Sequence, residues 1–442
     1  MQNLMMSFRL PLLLLVALTG AVSLSAQEAA VRPASAFLDP QNGVAESELV
    51  ARALASHPAL AAERQEIEMA KGGVAQARLR KNPSLSVGGL KEGGGDDNRF
   101  NIGGAVPLEL FGRRARRTEV AERKLDATQA TVADEERLLT GEVRLRFAQT
   151  LAAVRNLEFV EQLLQANRQF LKLMEDRVRE GAAASLDAEE VRVEVNRIET
   201  LRIDYQARAE IALLTLKEAV GIQPEEMLRL KGSLEKPAQT FEQGELLQLA
   251  LTHRPDLAAQ RANEAVAAAN LRQQQAEAKP DATFSAGYER PDTGFALRAF
   301  DPAGNLRPIR QTFNYAVFGL EVTLPVFNRN QGAIAAGTAA ITAARSRIAA
   351  VDLVLKHEVT QNLVRYNGAQ ARAAIYRTGV RDQAARNLDV VRQIYAYGRI
   401  RLLDVIAEQR RYIDIETGYT DVLFDAYAAR VALEQAVGTS LP

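Results

Sequence analysis

The residues of this 442-residue chain that could do chemistry are charged side chains gathered at two glycine breaks. The first break is Arg179-Glu180-Gly181-Ala182-Ala183-Ala184-Ser185-Leu186-Asp187, and the second runs from Tyr395 through Gly398, Arg399, Ile400 and Arg401 to Asp404. Gly181 and Gly398 allow a turn, and the small Ala182, Ala183 and Ser185 leave room for close approach by partner helices. Asp187 and Asp404 follow the turns where a new helix begins, a place where the helix dipole favours a carboxylate. Ion pairing is the competing role, with Arg399 and Arg401 set against Glu180 or against a neighbouring chain. Other chemistry is poorly supplied. There is no cysteine, which removes thiolate metal sites, cysteine nucleophiles, disulfides and acylation at cysteine. Three histidines cannot build a histidine-rich metal cage: His57 and His253 read as helix C-terminal caps ahead of Pro58 and Pro255, and His357 stands alone in a long helix. No Ser/His/Asp, His/Glu or glycine-rich phosphate constellation stands out, so no enzyme, cofactor or metal centre is expected. Arg113, Arg114, Arg116 and Arg117 form a basic run. Lys+Arg and Asp+Glu are nevertheless 55 each, and that balance argues against nucleic acid as a partner.

The elements that must position these residues are written twice. Leu49-Val-Ala-Arg-Ala-Leu-Ala-Ser-His-Pro-Ala-Leu-Ala-Ala-Glu-Arg64 aligns with Leu246-Leu-Gln-Leu-Ala-Leu-Thr-His-Arg-Pro-Asp-Leu-Ala-Ala-Gln-Arg261 at an offset of 197, which also sets Pro83 on Pro280. Val106-Pro107 then meets Leu324-Pro325 at an offset of 218, and Gly181 with Leu186-Asp187 meets Gly398 with Leu403-Asp404 at 217. Leu216-Lys-Glu-Ala-Val-Gly221 meets Leu433-Glu-Gln-Ala-Val-Gly438, again at 217. Ordered matches at a nearly constant offset indicate a duplication. The boundaries read as a first repeat over 46–221, a connector over 222–245 wrapping the middle of the structure, and a second repeat over 246–442. Each copy has a short helix, a helix opened by proline, two alternating runs, a very long helix, a glycine break, and a second long helix ending at a glycine C-cap. The long helices are expected over about 112–179 and 187–220, then 331–397 and 403–437. Each longest stretch has no proline and spans on the order of 100 Å. Gly337, Gly368 and Gly379 are the weak points of the second. Apolar residues at three/four spacing, such as Val143, Phe147, Leu151 and Val154, suit coiled-coil-like packing.

The alternating runs lie at about 83–108 and 281–325. Leu85 and Val87 oppose Ser86 and Gly88; Phe100, Ile102 and Val106 oppose Asn101, Gly103 and Ala105. In the second copy Phe284, Ala286 and Tyr288 oppose Thr283, Ser285 and Gly287, and Phe318, Leu320 and Val322 oppose Gly319, Glu321 and Thr323. A strand with one apolar face fits a membrane barrel and fits equally a half-buried soluble sheet. The segments 91–99 and 290–312 are expected to be mobile loop tips. Arg9, the apolar run Leu10–Leu18 and the small residues Ala21–Ala26 have the order of an export signal over 1–26, followed by an extended leader over 27–45. Four strands cannot close a membrane barrel, two chains give eight strands with a filled interior, and three give twelve with a water-filled bore. A conduit built from this chain is therefore a trimer or larger.

The duplicated order of helix, hairpin and long helix resembles the TolC-like outer membrane efflux proteins across nearly the whole mature chain. Val106-Pro-Leu-Glu-Leu-Phe-Gly-Arg-Arg-Ala-Arg-Arg117 and, more specifically, Leu324-Pro-Val-Phe-Asn-Arg-Asn-Gln-Gly-Ala-Ile-Ala335 look like the strand-to-helix junctions of the cobalt-zinc-cadmium branch. The resemblance implies a mainly α fold with membrane β. Long helices form a periplasmic α-barrel, and four strands per chain join a homotrimeric 12-stranded barrel in outer membrane lipid. It implies passive conduction, heavy-metal cations as cargo, and docking to a membrane-fusion adaptor and an inner-membrane resistance-nodulation-division pump. Many relatives carry a lipid-modified cysteine after the signal; without one, anchoring rests on the barrel. Gly181, Ala182, Ala183, Ser185, Gly398, Arg399 and Ile400 then form the adaptor-docking tips, and Glu180, Asp187, Arg399, Arg401 and Asp404 the candidate gate. The arginines at 113–117, with Arg329 in the matching place, would face the inner leaflet edge. The alternatives are a channel for multidrug efflux or type I secretion, a periplasmic adaptor, and an envelope enzyme or binding protein. An adaptor would hold one hairpin between β-rich halves, whereas here the hairpins come twice.

Overall fold

The computed structural model describes residues 32–93, 95 and 97–441. The export signal read over 1–26 and the start of the leader lie outside the described residues. Both copies open alike. Helix α1 (Glu46–Ser56) is followed by α2 (Pro58–Arg78), and α5 (Gln243–His253) by α6 (Pro255–Glu277). In each pair a proline at the first helical position supplies a φ already suited to the helix and lacks an N–H that would go unpaired there. The duplicated apolar positions are buried in both copies: Leu49, Ala53 and Leu60 in the first, Leu246, Ala250 and Leu257 in the second.

The segment before α1 is docked. Phe37 is 1% exposed, and strand β1 (Val44–Ala45) pairs in parallel with β4 (Leu230–Lys231) of the connector. Leader and connector thus close on each other over a core that includes Val143, Phe147, Leu216, Tyr419 and Tyr427.

Each long helix follows a left-handed residue, Gly112 at φ 77° and Asn330 at φ 57°, which stand at the same point of the two junction motifs. Helix α3 (Arg113–Arg179) runs 67 residues without interruption and returns as α4 (Ser185–Val220). The second copy differs from its expected continuous helix. Helix α7 (Gln331–Ile375) passes into one widened turn, Tyr376–Val380, before α8 (Arg381–Ala396) and the return helix α9 (Leu402–Val437). That turn holds Gly379, and the Thr378 hydroxyl donates back to the Ala374 carbonyl at 2.9 Å. Both loosen the regular ladder. Gly221 and Gly438 end α4 and α9 with φ of 80° and 83°.

The strands form one antiparallel sheet in the order β2 (Ser84–Lys91), β3 (Asn98–Pro107), β5 (Asp281–Phe300), with β6 (Leu306–Thr312) and β7 (Tyr315–Thr323) both returning along β5. The 290–312 segment, expected as a mobile tip, is instead a paired ribbon. Phe295, Phe300, Leu306 and Ile309 are strand formers, and only 301–305 turns. There the Asp301 side chain accepts from the backbone N–H groups of Ala303 and Asn305, both at 2.9 Å, and Gly304 takes φ 80°. The register sets Val87, Ile102, Tyr288 and Ala316 in one row, and Leu85, Gly104, Ala286 and Phe318 in the next. Residues paired across strands share a face. The sheet is therefore apolar on one side, and Ser86, Gly103, Gly287, Asn101 and Glu289 stand on the other. The apolar side is uncovered: Leu85, Phe318 and Leu320 are exposed. No helix among the described residues is long and apolar enough to cross a membrane.

A network of charges ties the chain start to its end. Arg144 on α3 donates to Glu46 on α1 at 2.5 Å and pairs with Glu434 on α9, while Arg430 holds the other Glu434 oxygen at 2.9 Å. Burial would push the Glu46 carboxyl up. The Tyr427 hydroxyl, Arg144 and Lys236 outweigh that and hold it below its ordinary value. Arg144→Ala strands two carboxylates at an interior site and should destabilise the helical body by about 3–5 kcal/mol, read as a lower thermal midpoint by far-UV circular dichroism; an unchanged midpoint would count against the network. Because Glu46 is depressed in the folded state, its contribution is present at neutral pH and lost as pH falls through the lowered value. Glu46→Gln should therefore flatten the acid limb of the stability profile, whereas a limb of unaltered steepness would remove Glu46 from the account.

Candidate functional site

The two glycine breaks form the paired tips of the helical hairpins. At the first, the Gly181 N–H donates to the Val178 carbonyl at 3.0 Å and the Ala182 N–H to Arg177 at 2.8 Å. At the second, Gly398 donates to Tyr395 at 2.8 Å and Arg399 to Ile394 at 3.2 Å. Both glycines are left-handed, at φ 72° and 68°. The tips thus satisfy the last helix carbonyls in the same way, a requirement that explains glycine at both. Ala182 and Ser185 are exposed, while Ala183 and Ile400 are half-buried.

The charges at the tips separate by role. The Asp404 carboxylate accepts from the Arg401 backbone N–H at 3.1 Å and lies 3.8 Å from the Arg401 guanidinium. It caps α9, and Arg401 is held on its own turn. Asp187 sits in the first turn of α4, its N–H donating to Ala184 at 3.1 Å. Its charge is felt across the hairpins: burial pushes the Tyr395 phenol up, and Asp187 adds to that shift. Glu180 and Arg399 make no ion pair among the described residues. The expected pairing of Arg399 or Arg401 with Glu180 is therefore not formed within the chain. The geometric reason is that the two tips present these side chains outward.

The hairpins are joined instead along a seam above the tips. Tyr395 packs edge-on to Phe170 at 6.3 Å and its hydroxyl points to the Met174 sulfur at 3.8 Å. Next, the Gln409 amide of α9 donates to the Asn167 side chain of α3 at 3.1 Å, with both residues buried. Glu194 of α4, 2% exposed, accepts from Arg197 at 2.7 Å on its own helix and from Arg410 of α9 at 2.8 Å. Burial raises the Glu194 carboxyl, and Arg197 and Arg410 together bring it below the ordinary range. Around these residues lies a cavity of about 310 Å³, walled by Phe170, Val191, Leu402, Val405 and Ile406 and rimmed by Arg177 and Arg392. Farther up, Phe159 meets Tyr412 edge-on at 5.7 Å. The Tyr412 phenol is pushed up to about 12 by burial and the neighbouring Glu416. Arg155 and Arg381 both lie over the Tyr419 ring, at 5.3 and 5.5 Å, beside the widened turn.

Residue patterning carried a signal for this seam. Gln409 interrupts the apolar file Val405-Gln409-Ile413, and Glu194 stands beside Val191, Val195 and Ile198. A polar group on a buried stripe requires a partner and fixes register.

The junction arginines do structural work. Arg113 donates to the Lys279 and Glu277 carbonyls at 2.6 and 3.1 Å, and Arg117 to Leu79 and Ala77 at 2.9 and 3.2 Å, with Glu109 at 2.6 Å. Arg113 and Arg117 thus cover the C-terminal ends of α6 and α2, whose last carbonyls have no helical partner. Both histidines stand at helix ends: His253 Nδ1 lies 3.0 Å from the Leu249 carbonyl, and His57 is the C-cap of α1, its backbone N–H donating to the Ala53 carbonyl at 2.9 Å, with its Nδ1 buried and without a partner among the described residues. The residue that aligns with His57 is Arg254, which is buried and joins Asp256 at 2.6 Å, Glu358 at 2.8 Å and the Ala436 carbonyl at 3.1 Å. Among the described residues no cluster of side chains is suited to hold a metal ion.

Comparison with known proteins follows this division of the chain. The outer membrane efflux protein family model matches residues 49–222 and again 246–439. The cobalt-zinc-cadmium resistance protein CzcC of Cupriavidus metallidurans is 25% identical over 384 residues, which cover 86% of each chain. Among solved structures, CusC superposes with a TM-score of 0.72 at 17% identity over 91% of this chain and 93% of its own. The outer membrane protein VceC of Vibrio cholerae gives 0.68 at 20% identity over 89% and 96%. The outer membrane channel MtrE of Neisseria gonorrhoeae gives 0.70 at 16% identity over 92% and 90%. Duplicated repeats, a two-faced sheet and long helical hairpins, matched by the family model in both halves, establish that this chain belongs to the outer membrane efflux protein family and has its channel fold.

Proposed function

We propose that three copies assemble into a conduit that carries heavy-metal cations from the periplasm past the outer membrane of a Gram-negative cell. The observation that carries this reading is the sheet. It is apolar on one face, small and polar on the other, and open at both edges, β2 and the β6/β7 arm. In hydrocarbon an open edge would leave backbone groups unpaired, so the edges must meet those of other copies. Three copies supply twelve strands and a bore that admits water. Exposed apolar side chains also run along the helices: Leu186, Val193, Ile203 and Ile211 on α4, and Leu353, Val364 and Ile375 on α7. They suit packing between neighbouring copies around a helical tunnel. Conduction would be passive, with an inner-membrane resistance-nodulation-division pump supplying energy and a periplasmic adaptor meeting the tips at Gly181–Ser185 and Gly398–Ile400. Cobalt, zinc and cadmium are the cargo suggested by the relative CzcC. The chain would select little by itself, because its walls offer carboxylates and guanidinium groups rather than soft ligands.

The mouth would be held by two sets of contacts. The inner set is the seam, Glu194 with Arg410 and Asn167 with Gln409, which ties one hairpin to the other within a copy. The outer set is Arg399, free to reach Glu180 or Asp187 of a neighbouring copy. Opening would break the outer set first, since its members are exposed and weakly coupled.

The mature chain purified in detergent should have the mass of a trimer. Supplied with its pump and adaptor to cells lacking their own channel, it should restore growth in cobalt, zinc or cadmium. A monomeric mass, or growth no better than the empty vector, would reject the conduit or its cargo respectively. In planar bilayers Arg399→Ala with Arg401→Ala should raise single-channel conductance. Glu194→Ala should do so further, with a lower thermal midpoint, because it removes the carboxylate that joins Arg197 to Arg410 of the other hairpin. Equal conductance in all three proteins would dismiss both latches.

A further inference from the structure

The sheet carries a second pattern, in its cations. Above the apolar rows, the register continues on the same face with Phe100 beside Arg290, then Lys91, Asn98, Asp292 and Thr312, then Gly294 beside Arg310. The irregularity between Phe295 and Arg298 returns the face to Arg298, paired with Pro308, and then to Phe300 with Leu306. Four cations therefore stand in one file on the side that is apolar below, with Asp292 the carboxylate among them. Thr312 donates to Asp292 at 3.4 Å. The opposite face also carries cations, and these are paired. Arg99 pairs with Glu289 at 3.0 Å, and Arg307 with Asp301 at 2.9 Å. Lys91, Arg290 and Arg298 have no ion pair among the described residues, and all are exposed.

The height of the file follows from strand geometry. Eight residues separate Ala282 from Arg290, about 27 Å along a strand and about 20 Å along the normal of a barrel whose strands tilt by ~40°. The cations begin where the hydrocarbon ends. Beyond them Phe300 and Leu306 remain exposed on the same side, so the arm is suited to lie against a surface with both charge and hydrocarbon.

We propose that Lys91, Arg290 and Arg298 form a binding site for the phosphate groups of an anionic lipid in the outer leaflet. Guanidinium groups take two phosphate oxygens at once, and Lys91 adds a point charge. Three copies would set this collar around the whole barrel. The inference rests on the outer membrane reading above and goes beyond it by naming the lipid.

The test uses the purified assembly reconstituted into phosphatidylcholine vesicles with or without lipid A, a bisphosphorylated glycolipid, followed by detergent extraction and measurement of lipid A retained per protein. The wild type should retain it. Lys91→Gln/Arg290→Gln/Arg298→Gln should retain about tenfold less, and the variant with Arg290→Lys and Arg298→Lys should recover most of the retention. Added salt should weaken retention in the wild type, and inorganic phosphate at matched ionic strength should do no more than salt. Equal retention by the wild type and the glutamine variant overturns the proposal, as does displacement by inorganic phosphate beyond the salt effect. Conductance in phosphatidylcholine alone separates the two readings. If all proteins conduct alike and lipid A is held equally, the collar fails and the channel stands. If the wild type forms no channel, the outer membrane reading fails and this inference fails with it.

Discussion

A β-sheet in hydrocarbon cannot leave its edges open, and this constraint governs the rest of the molecule. Each unpaired backbone N–H or carbonyl in lipid costs several kcal/mol, and one chain supplies a sheet with two edges. In the assembly proposed above the apolar face meets lipid and the edges pair with copies of the same chain. Duplication answers part of the need, because two hairpins from one gene product lie side by side, β3 against β5, before any partner arrives. The long helices inherit the arrangement. Each leaves the sheet through a junction where a left-handed residue redirects the backbone, and Arg113 and Arg117 fasten the neighbouring helix ends to that bend.

Charge has different meanings at different depths. In the middle of the helical body, Glu46, Arg144 and Glu434 are interior and mutually paired, and they bind the first helix of the described chain to the last. Near the tips Glu194 is equally interior, yet its partner Arg410 comes from the other hairpin and remains half in water. At the tips proper Arg401 and Asp404 pair on a single turn, while Glu180 and Arg399 are exposed. This gradient from interior to exposed pairs is what a conduit fixed in its middle and movable at its end would need.

Much of the architecture was legible in the residues. The duplication, the hairpin positions and the glycine tips followed from offsets and alternation, because each copy must bury the same positions and turn at the same places. Leu49 and Leu246, or Gly181 and Gly398, show this directly. The ribbon at 290–312 is masked by its proline and glycine residues, which favour loops, although Phe295, Leu306 and Ile309 carry a strand pattern through them. The seam was missed because Asn167, Glu194 and Gln409 resemble surface residues until helices from both hairpins are brought together. The interruption at Tyr376–Val380 was marked only by Gly379, since a widened turn leaves hydrophobic spacing almost intact. His57 and His253 look equivalent by residue type, but the offset of 197 places Arg254, not His253, at the position of His57.

The widened turn makes the two hairpins mechanically unequal. The first is built on an unbroken rod of 67 residues, a stiff strut from sheet to tip. The second is articulated at Tyr376–Val380, where Tyr376 stacks on Tyr419 at 6.4 Å as a bearing surface. Force applied at the far end of such a pair is not shared equally. In the proposed ring of three such pairs the strut would transmit it upward and the jointed arm would swing, so the ring would dilate by the rotation of alternate members.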